Sequence, residues 1–585
     1  MGQPRGSQAE GQDPFSSEDV PPKVDSRVFF WCLILVLGLL HVWTHRNDVT
    51  PDSISYIEIG WATARGGLHQ AVNAYWSPLY PFLLSLVFRL FHPTAQWEFT
   101  AAHLLNFAVY VLSLASFEVF LKELTLGRRG GGESSGVICP VSARAVLVWG
   151  YLFFLWSSFF WLGPEWVTPD LCLSVVVFLA TALLLRIQRG RGNLSVFAFL
   201  GALLGLGYLA KAAMFPLSFV FLFSAFCLCR IAGASVRAAA IRTLLAGGVF
   251  AGFALPLVLA LSVAKGRPTF GDSGCINYIE FVNQAPRSVH WQGSPAGTGT
   301  PLHPTRKIFS NPDVYEFTHP VRGSYPPWYD PSHWYEGARP HFVLRDQMAA
   351  LFRAANVYLK VFSKSGVLWV VLVAVLALGK NNLTWANTPQ GKWLVILPLV
   401  APLAMYALVL VEFRYVAPYA LLLLLWSLSK LGIVSGAKPV PLERLQRVML
   451  LVPALAIFWA VANDLVAVIQ NKSYEPWVVA QQLHAIGIPA GTDVGYVGTG
   501  LDAYWAHLAE VRIIVEVPDG DEPRYVAADA ARRQQVLALF YSVGARAVIT
   551  RNAAVAKSGD GWRPIPGTQH FVWQQPWLIA APEKK

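Results

Sequence analysis

The chain has 585 residues, 54% of them hydrophobic and 14% charged, with a mean hydropathy of +0.43. A soluble domain carries about 25% charged residues, so a water-soluble globule of this size is excluded and a polytopic membrane protein is indicated. The net charge of +11 sits in short loops between apolar runs. That placement orients membrane proteins and does not build a phosphate-tracking groove, so nucleic acid is not an expected partner.

Taken in order, residues 1–27 are polar and rich in Pro, Ser, Asp and Glu, the composition of a disordered tail. Runs of about 20 apolar residues, enough to cross about 30 Å of hydrocarbon, predict spans at 28–44, 97–121, 143–162, 166–186, 194–210, 212–229, 241–264, 353–379, 393–411, 415–433 and 448–469. No small-residue cleavage site follows the first run, which therefore reads as an anchor. The stretch 77–91, SPLYPFLLSLVFRLF, is short and bounded by prolines, as expected of a helix at the interface.

Lys and Arg crowd alternate connections, from Lys122–Arg144 through Arg186–Arg191 and Arg230–Arg242 to Lys430–Arg447, whereas the turns at 163–166, 211 and 412–414 hold almost none. The basic set faces the cytoplasm with the N-terminus. The first loop (45–96), a long loop (265–350) and everything beyond about 470 then lie outside. Residues 471–585 alternate helical runs with short β-branched runs such as GTDVGYVG, VRIIVEV and RAVIT, which predicts a small extracytoplasmic α/β domain. The expected fold class is thus an all-α polytopic membrane protein of about eleven helices, residues 28–470, with that domain appended.

Ionisable residues gather at the outer face. Asp52 follows Pro51 and reads as a cap or first-turn residue of a helix running to about Ala64, with Tyr56 at i+4 on its face and Asp48 a rival acid. Glu165 occupies the turn GPEWVTPD, with Asp170 near the head of the next helix; Lys211 stands between two apolar runs; Glu412, Arg414 and Tyr415 share another turn. Singly, each has an ordinary explanation: a solvated turn, a snorkelling lysine, a surface ion pair. Together, at one depth, they mark a substrate path. Arg414 offers a fork and Lys211 a point charge for a phosphate whose lipid tail stays in the bilayer, and Tyr415 adds a hydroxyl. A nearby carboxylate would take the proton of an attacking hydroxyl while the phosphate leaves.

These segments, TPDSISYIEIGWATARGG, YWSPLYPFLLSLVFRLF, GPEWVTPDLCLSVVVFLATALLLR, GLGYLAKAAMFP and EFRYVAPYALLLLL, resemble the membrane-embedded glycosyltransferases of GT-C fold. The likeness is to the branch of protein mannosyltransferases and lipid A aminoarabinose transferases and covers roughly residues 28–470. The resemblance implies that Asp52 is the general base, Glu165 a second acid near the site, and Lys211, Arg414 and Tyr415 the donor-phosphate pocket. It also implies a polyprenyl-phosphate sugar donor and inverting transfer at the outer face, in a bacterial inner membrane. The acceptor, whether lipid, glycan or protein, does not carry over. One departure stands out: many relatives carry an acidic pair where this chain has Asp52–Ser53, which argues against a bound metal.

Tyr56, Tyr80, His103 and Glu412 complete the candidate substrate contacts. His103 and Asn106, one turn apart, are expected to hydrogen-bond within the bundle. In the long loop Tyr325, Trp328, Tyr329, Trp334 and Tyr335 suit sugar stacking, and His290, His303, His319, His333 and His341 lack tight metal spacing. No cofactor is assigned, and the residues disfavour a divalent metal without excluding one. The rival reading is a transporter or flippase of a lipid-linked or anionic solute, which would set its charges near the midplane of two matching halves.

Overall fold

The computed structural model describes residues 24–126, 138–140, 142–317, 323–324, 330–364, 383–385, 391–434, 440–470 and 473–574. The tail to residue 23, the expected 353–379 span beyond 364, and Tyr325, Trp328, Tyr329 and His319 lie outside them.

Apolar runs become helices because hydrocarbon offers no partner for a free backbone N–H or C=O. In chain order the helices are α1 (Val24–Thr44), α2 (Pro51–Gly66), α3 (Leu79–Phe91), α4 (Ala95–Leu126), α5 (Ala143–Ser157), α6 (Asp170–Gln188), α7 (Leu194–Ala210), α8 (Met214–Ile231) and α9 (Val236–Lys265). Then come α10 (Leu344–Lys364), α11 (Lys392–Ala407), α12 (Phe413–Ser429) and α13 (Val440–Gln470). Among the described residues seven helices are long and apolar enough to cross a membrane, and α3, α7, α11 and α12 are shorter apolar helices. The chain is an integral membrane protein.

Two boundaries differ from expectation. The fourth span begins at Asp170, not 166, because Pro164 and Pro169 keep 163–169 in a turn after the left-handed Gly163 (φ 62°). Helix α10 begins at Leu344, before the expected 353, because its first turns are amphipathic: Gln347 accepts from Tyr278 and donates to the Leu408 carbonyl. The bundle packs closely through small residues. A Cβ on Gly201 of α7 would lie 2.2 Å from the Ala246 carbonyl of α9, and one on Gly205 2.5 Å from the Phe253 Cβ, the small-xxx-small contact of membrane helices.

Outside the bundle stands a seven-stranded sheet. Its strands are β2 (Arg306–Phe309), β3 (Val314–Glu316), β6 (Asp493–Val497), β7 (Arg512–Val517), β8 (Val548–Thr550), β9 (Arg563–Pro564) and β10 (Phe571–Trp573), in the order β2-β3-β7-β6-β8-β10-β9. Strand β6 runs parallel to β7 and β8, and the other pairings are antiparallel. The hairpin β2–β3 comes from the long outer loop and extends the sheet of the C-terminal segment, so both chain regions build one outer unit. Three short strands, β1 (Ile138–Pro140), β4 (Leu383–Trp385) and β5 (Leu431–Val434), tie the basic connections into a second sheet that the sequence reading did not anticipate.

The outer unit is locked onto the bundle. One apolar core runs from Ile54 and Phe99 to Leu483 and Trp505. Beside it His507 sits between two carboxylates, Nδ1 3.3 Å from Glu58 and Nε2 2.8 Å from Glu98, and Glu58 also accepts from the Ser324 N–H and hydroxyl. Burial alone would lower the His507 pKa, but Glu98 and Glu58 raise it to about 10. A pKa raised above the unfolded value stabilises below about 6.5 and is lost as pH climbs through about 10. Limited proteolysis between pH 6 and pH 10 should therefore find the outer unit progressively easier to release. The His507→Gln protein should be more labile at the low end and flatter across the range; an unchanged pH profile in that variant would refute the lock.

Candidate functional site

Four elements converge under the outer unit. The first is the start of α2. Thr50 Oγ1 accepts the Ser53 N–H and Ser53 Oγ accepts the Thr50 N–H, a reciprocal cap with Pro51 in the first turn. The cap accounts for Ser53, whose hydroxyl is spent on the helix end. It also leaves the Asp52 carboxylate free of capping duty and pointed at Arg414 of α12, 2.7 Å away.

The second element is the head of α6, where Asp170 is buried. Its Oδ1 accepts from Lys211 Nζ at 2.6 Å, its Oδ2 accepts from the Thr168 hydroxyl at 2.9 Å, and Arg414 Nη1 lies 3.6 Å off. The same tripeptide, Thr-Pro-Asp, thus occurs at 50–52 and 168–170 and places one acid on each side of Arg414. The third element is the α7–α8 turn that holds Lys211, whose ammonium stands 3.3 Å from the centre of the Tyr415 ring. The fourth is the start of α12, whose Arg414 guanidinium lies over both Trp166 and Tyr415 at 5.2 Å.

Asp52, Tyr56, Asp170, Lys211, Arg414 and Tyr415 line one cavity of about 490 Å³. Lys211 and Arg414 pair with Asp170 and Asp52, and Arg267 pairs with Asp272 at 2.7 Å elsewhere on the wall, so that among the described residues each charge lining the cavity has a counter-charge, as a low-dielectric site requires. Three donors along the wall nevertheless lack a partner among the described residues: Arg414 Nε, Trp76 Nε1 and Tyr406 Oη. Unpaired buried donors cost free energy unless an oxygen-rich ligand meets them. The wall is also apolar at Pro216, Phe270, Met405, Val409 and Leu410, a surface suited to a hydrocarbon chain beside a polar head. Glu280, half-buried on the outer loop, is pushed up to about 7 by burial, Arg287 opposing and Asp52 adding.

The other sequence candidates fall elsewhere. Glu165 does not line the cavity; its Oε2 lies 3.3 Å from His41 Nε2 and its Oε1 accepts from the Trp166 indole. His103 bonds the backbone carbonyls of Phe99 and Glu165, and Asn106 donates to those of Pro164 and Trp166 and accepts from the Tyr80 hydroxyl at 2.5 Å. His103, Asn106 and Tyr80 therefore hold the 163–166 turn from behind and do not reach the cavity wall. Glu412 precedes α12 and is likewise off the wall, whereas Tyr56 is on it, edge-on to Trp76 and Tyr80. Wall residues that sequence reading missed include Tyr75, Trp76, Arg267, Asp272 and Tyr406, together with the counter-ion role of Asp170.

A helical bundle with a charged cavity at one end and an appended α/β unit has the GT-C fold. Among solved structures the chain is similar to ArnT from Cupriavidus metallidurans bound to undecaprenyl phosphate, with 13% identity and a TM-score of 0.54, covering 96% of this chain and 100% of that one. It also matches the oligosaccharyltransferase of Archaeoglobus fulgidus in complex with Zn and sulfate, with 11% identity and a TM-score of 0.45, over 89% of this chain and 67% of that one. No family model and no curated protein matches the sequence.

Proposed function

We propose that the protein transfers a glycosyl group from a polyprenyl-phosphate-linked donor to an acceptor on the extracytoplasmic face, inverting the anomeric carbon. The observation that carries this reading is the meeting of Asp52, Lys211 and Arg414 on one cavity with an apolar wall. The fold shared with ArnT, whose structure was solved with undecaprenyl phosphate, supports the lipid-phosphate donor.

In this reading the donor phosphate meets Lys211 and Arg414, with the unpartnered Arg414 Nε open to a phosphate oxygen and the Tyr415 ring beneath the ammonium. The acceptor hydroxyl attacks the anomeric carbon from the side opposite the phosphate and gives its proton to the Asp52 carboxylate. The carbon–oxygen bond breaks with its electron pair passing to the phosphate, whose growing charge the two cations stabilise. The acceptor, a lipid, glycan or protein, comes from the outer side of a bacterial inner membrane, and the N-terminus is cytoplasmic. A transporter would set such charges at the midplane between matching halves; here they belong to outer turns.

Purified protein supplied with several polyprenyl-phosphate sugars should release polyprenyl phosphate from one class of them. Arg414→Lys replaces a planar fork by a point charge. Losing one charge-assisted bond should raise the donor KM about tenfold or more, with a smaller change in kcat. An unaltered donor dependence would remove Arg414 from the phosphate pocket.

A further inference from the structure

A second group of ionisable side chains, unused by the proposed transfer, meets where α1 and α13 reach the outer face. His41 and His45 are one helical turn apart, joined by a backbone bond from the His45 N–H to the His41 carbonyl. Each imidazole turns one nitrogen to Asp464 of α13: His41 Nδ1 is 2.8 Å from Oδ2, and His45 Nε2 is 3.4 Å from Oδ1. Each turns its other nitrogen to a different carboxylate: His41 Nε2 is 3.3 Å from Glu165, and His45 Nδ1 is 2.7 Å from Asp48. One ligand atom from each of His41, His45 and Asp464 lies within 4.8 Å of the others.

Three observations separate this group from an ordinary ion-pair cluster. The first is spacing: tetrahedral bonds of about 2.0–2.1 Å put ligand atoms roughly 3.4 Å apart; His45 Nε2 stands at that separation from Asp464, and His41 Nδ1, at 2.8 Å, stands closer, at hydrogen-bond length. The second is that both histidines have their remaining nitrogen bonded to a carboxylate, the outer partner that fixes the tautomer and orientation of a metal-bound imidazole. The third is charge. Glu165, Asp48 and Asp464 bring three carboxylates together, and among the described residues no lysine or arginine pairs with any of them. Asp464 is buried, and two imidazoles, even with both carrying a proton, leave three carboxylates with one negative charge in excess. The other His–carboxylate group, His303, His333 and Glu336, already has Lys265 3.8 Å from Glu336.

We propose that His41, His45 and Asp464 bind a divalent transition metal of the zinc class, with Glu165 and Asp48 orienting the two imidazoles. Two nitrogens and one carboxylate favour such an ion over magnesium, which prefers an all-oxygen shell. His45 is partly exposed, which leaves room for water as a fourth ligand. The site ties the end of α1, the 163–166 turn and α13 together just ahead of the loop that carries Asp52. It gives Glu165 a positioning role in place of an acid's, and it stands whether or not the transfer reading holds.

The test uses the full-length protein, purified without a polyhistidine tag, incubated with zinc, desalted and assayed for metal by mass spectrometry. The wild type should retain about one zinc per chain, and zinc should raise its thermal midpoint because the metal binds the folded state. His45→Ala should lose the zinc and the thermal shift. Asp48→Asn, which keeps all three ligands, should weaken zinc binding by about 10–100-fold, and it serves should His45→Ala fail to fold. A wild type that holds no zinc, or zinc retained undiminished in both variants, would overturn the proposal.

Discussion

Asp52→Asn should leave a folded protein whose transfer rate is lower by about 10³-fold, the middle of the range that a positioned general base contributes. The amide keeps the size of the side chain but cannot take a proton from the acceptor hydroxyl. Folding should survive for two reasons. Thr50 and Ser53, not Asp52, cap α2. The ion pair that Asp52 makes with Arg414 is also partly exposed on the Asp52 side, so its loss costs about 1 kcal/mol or less, and Arg414 retains Asp170. A steady-state assay and a thermal melt on the same preparation separate the two effects. Because Asn leaves the cations intact, the donor KM should change far less than kcat. Turnover at the wild-type rate would strip Asp52 of the base role and return attention to Asp48, the rival acid, although that carboxylate faces His45 and lies off the cavity wall.

Much of the bundle could be read from the chain because its signal is local. A helix in hydrocarbon needs a continuous apolar run, and the runs at 28–44, 97–121, 194–210 and 241–264 coincide with α1, α4, α7 and α9 within a few residues. The strands of the C-terminal segment were visible for the same reason: DVGYV, RIIVEV and VIT are short β-branched runs. What escaped was contact between distant residues. The β2–β3 hairpin joins β7 across some two hundred positions, and nothing within the hairpin announces that pairing. Lys211 stood out as a lone charge between apolar runs, and Arg414 as a cation, with only Glu412 beside it, in a turn that otherwise needs no charge. Asp170 did not, because an acid at a helix start has an ordinary explanation in the helix dipole. The repeated Thr-Pro-Asp was the available clue. His41 and His45 sit four apart, a spacing that places two imidazoles on one helix face, but their partners Glu165 and Asp464 lie far along the chain.

The pairing of Lys211 with Asp170 gives a way to separate what holds the site together from what touches the donor. Lys211→Met removes the ammonium and leaves the buried Asp170 carboxylate with Thr168 and the more distant Arg414. Breaking a buried pair on one side costs about 3–5 kcal/mol, and the residual Arg414 contact places this case near the lower figure. The variant should therefore melt many degrees below the wild type and should bind donor phosphate poorly. Adding Asp170→Asn removes the orphaned charge. Replacing both members of a buried pair by neutral groups of similar volume is often close to neutral in stability, so the double variant should recover most of the lost thermal midpoint. It should not recover transfer, because the point charge that meets the leaving phosphate is still missing. The cycle thus predicts opposite behaviour for two readouts of the same protein: stability restored, donor affinity not. If transfer returned with stability, Lys211 would be a structural partner of Asp170 alone, and Arg414 would be left as the phosphate-binding cation.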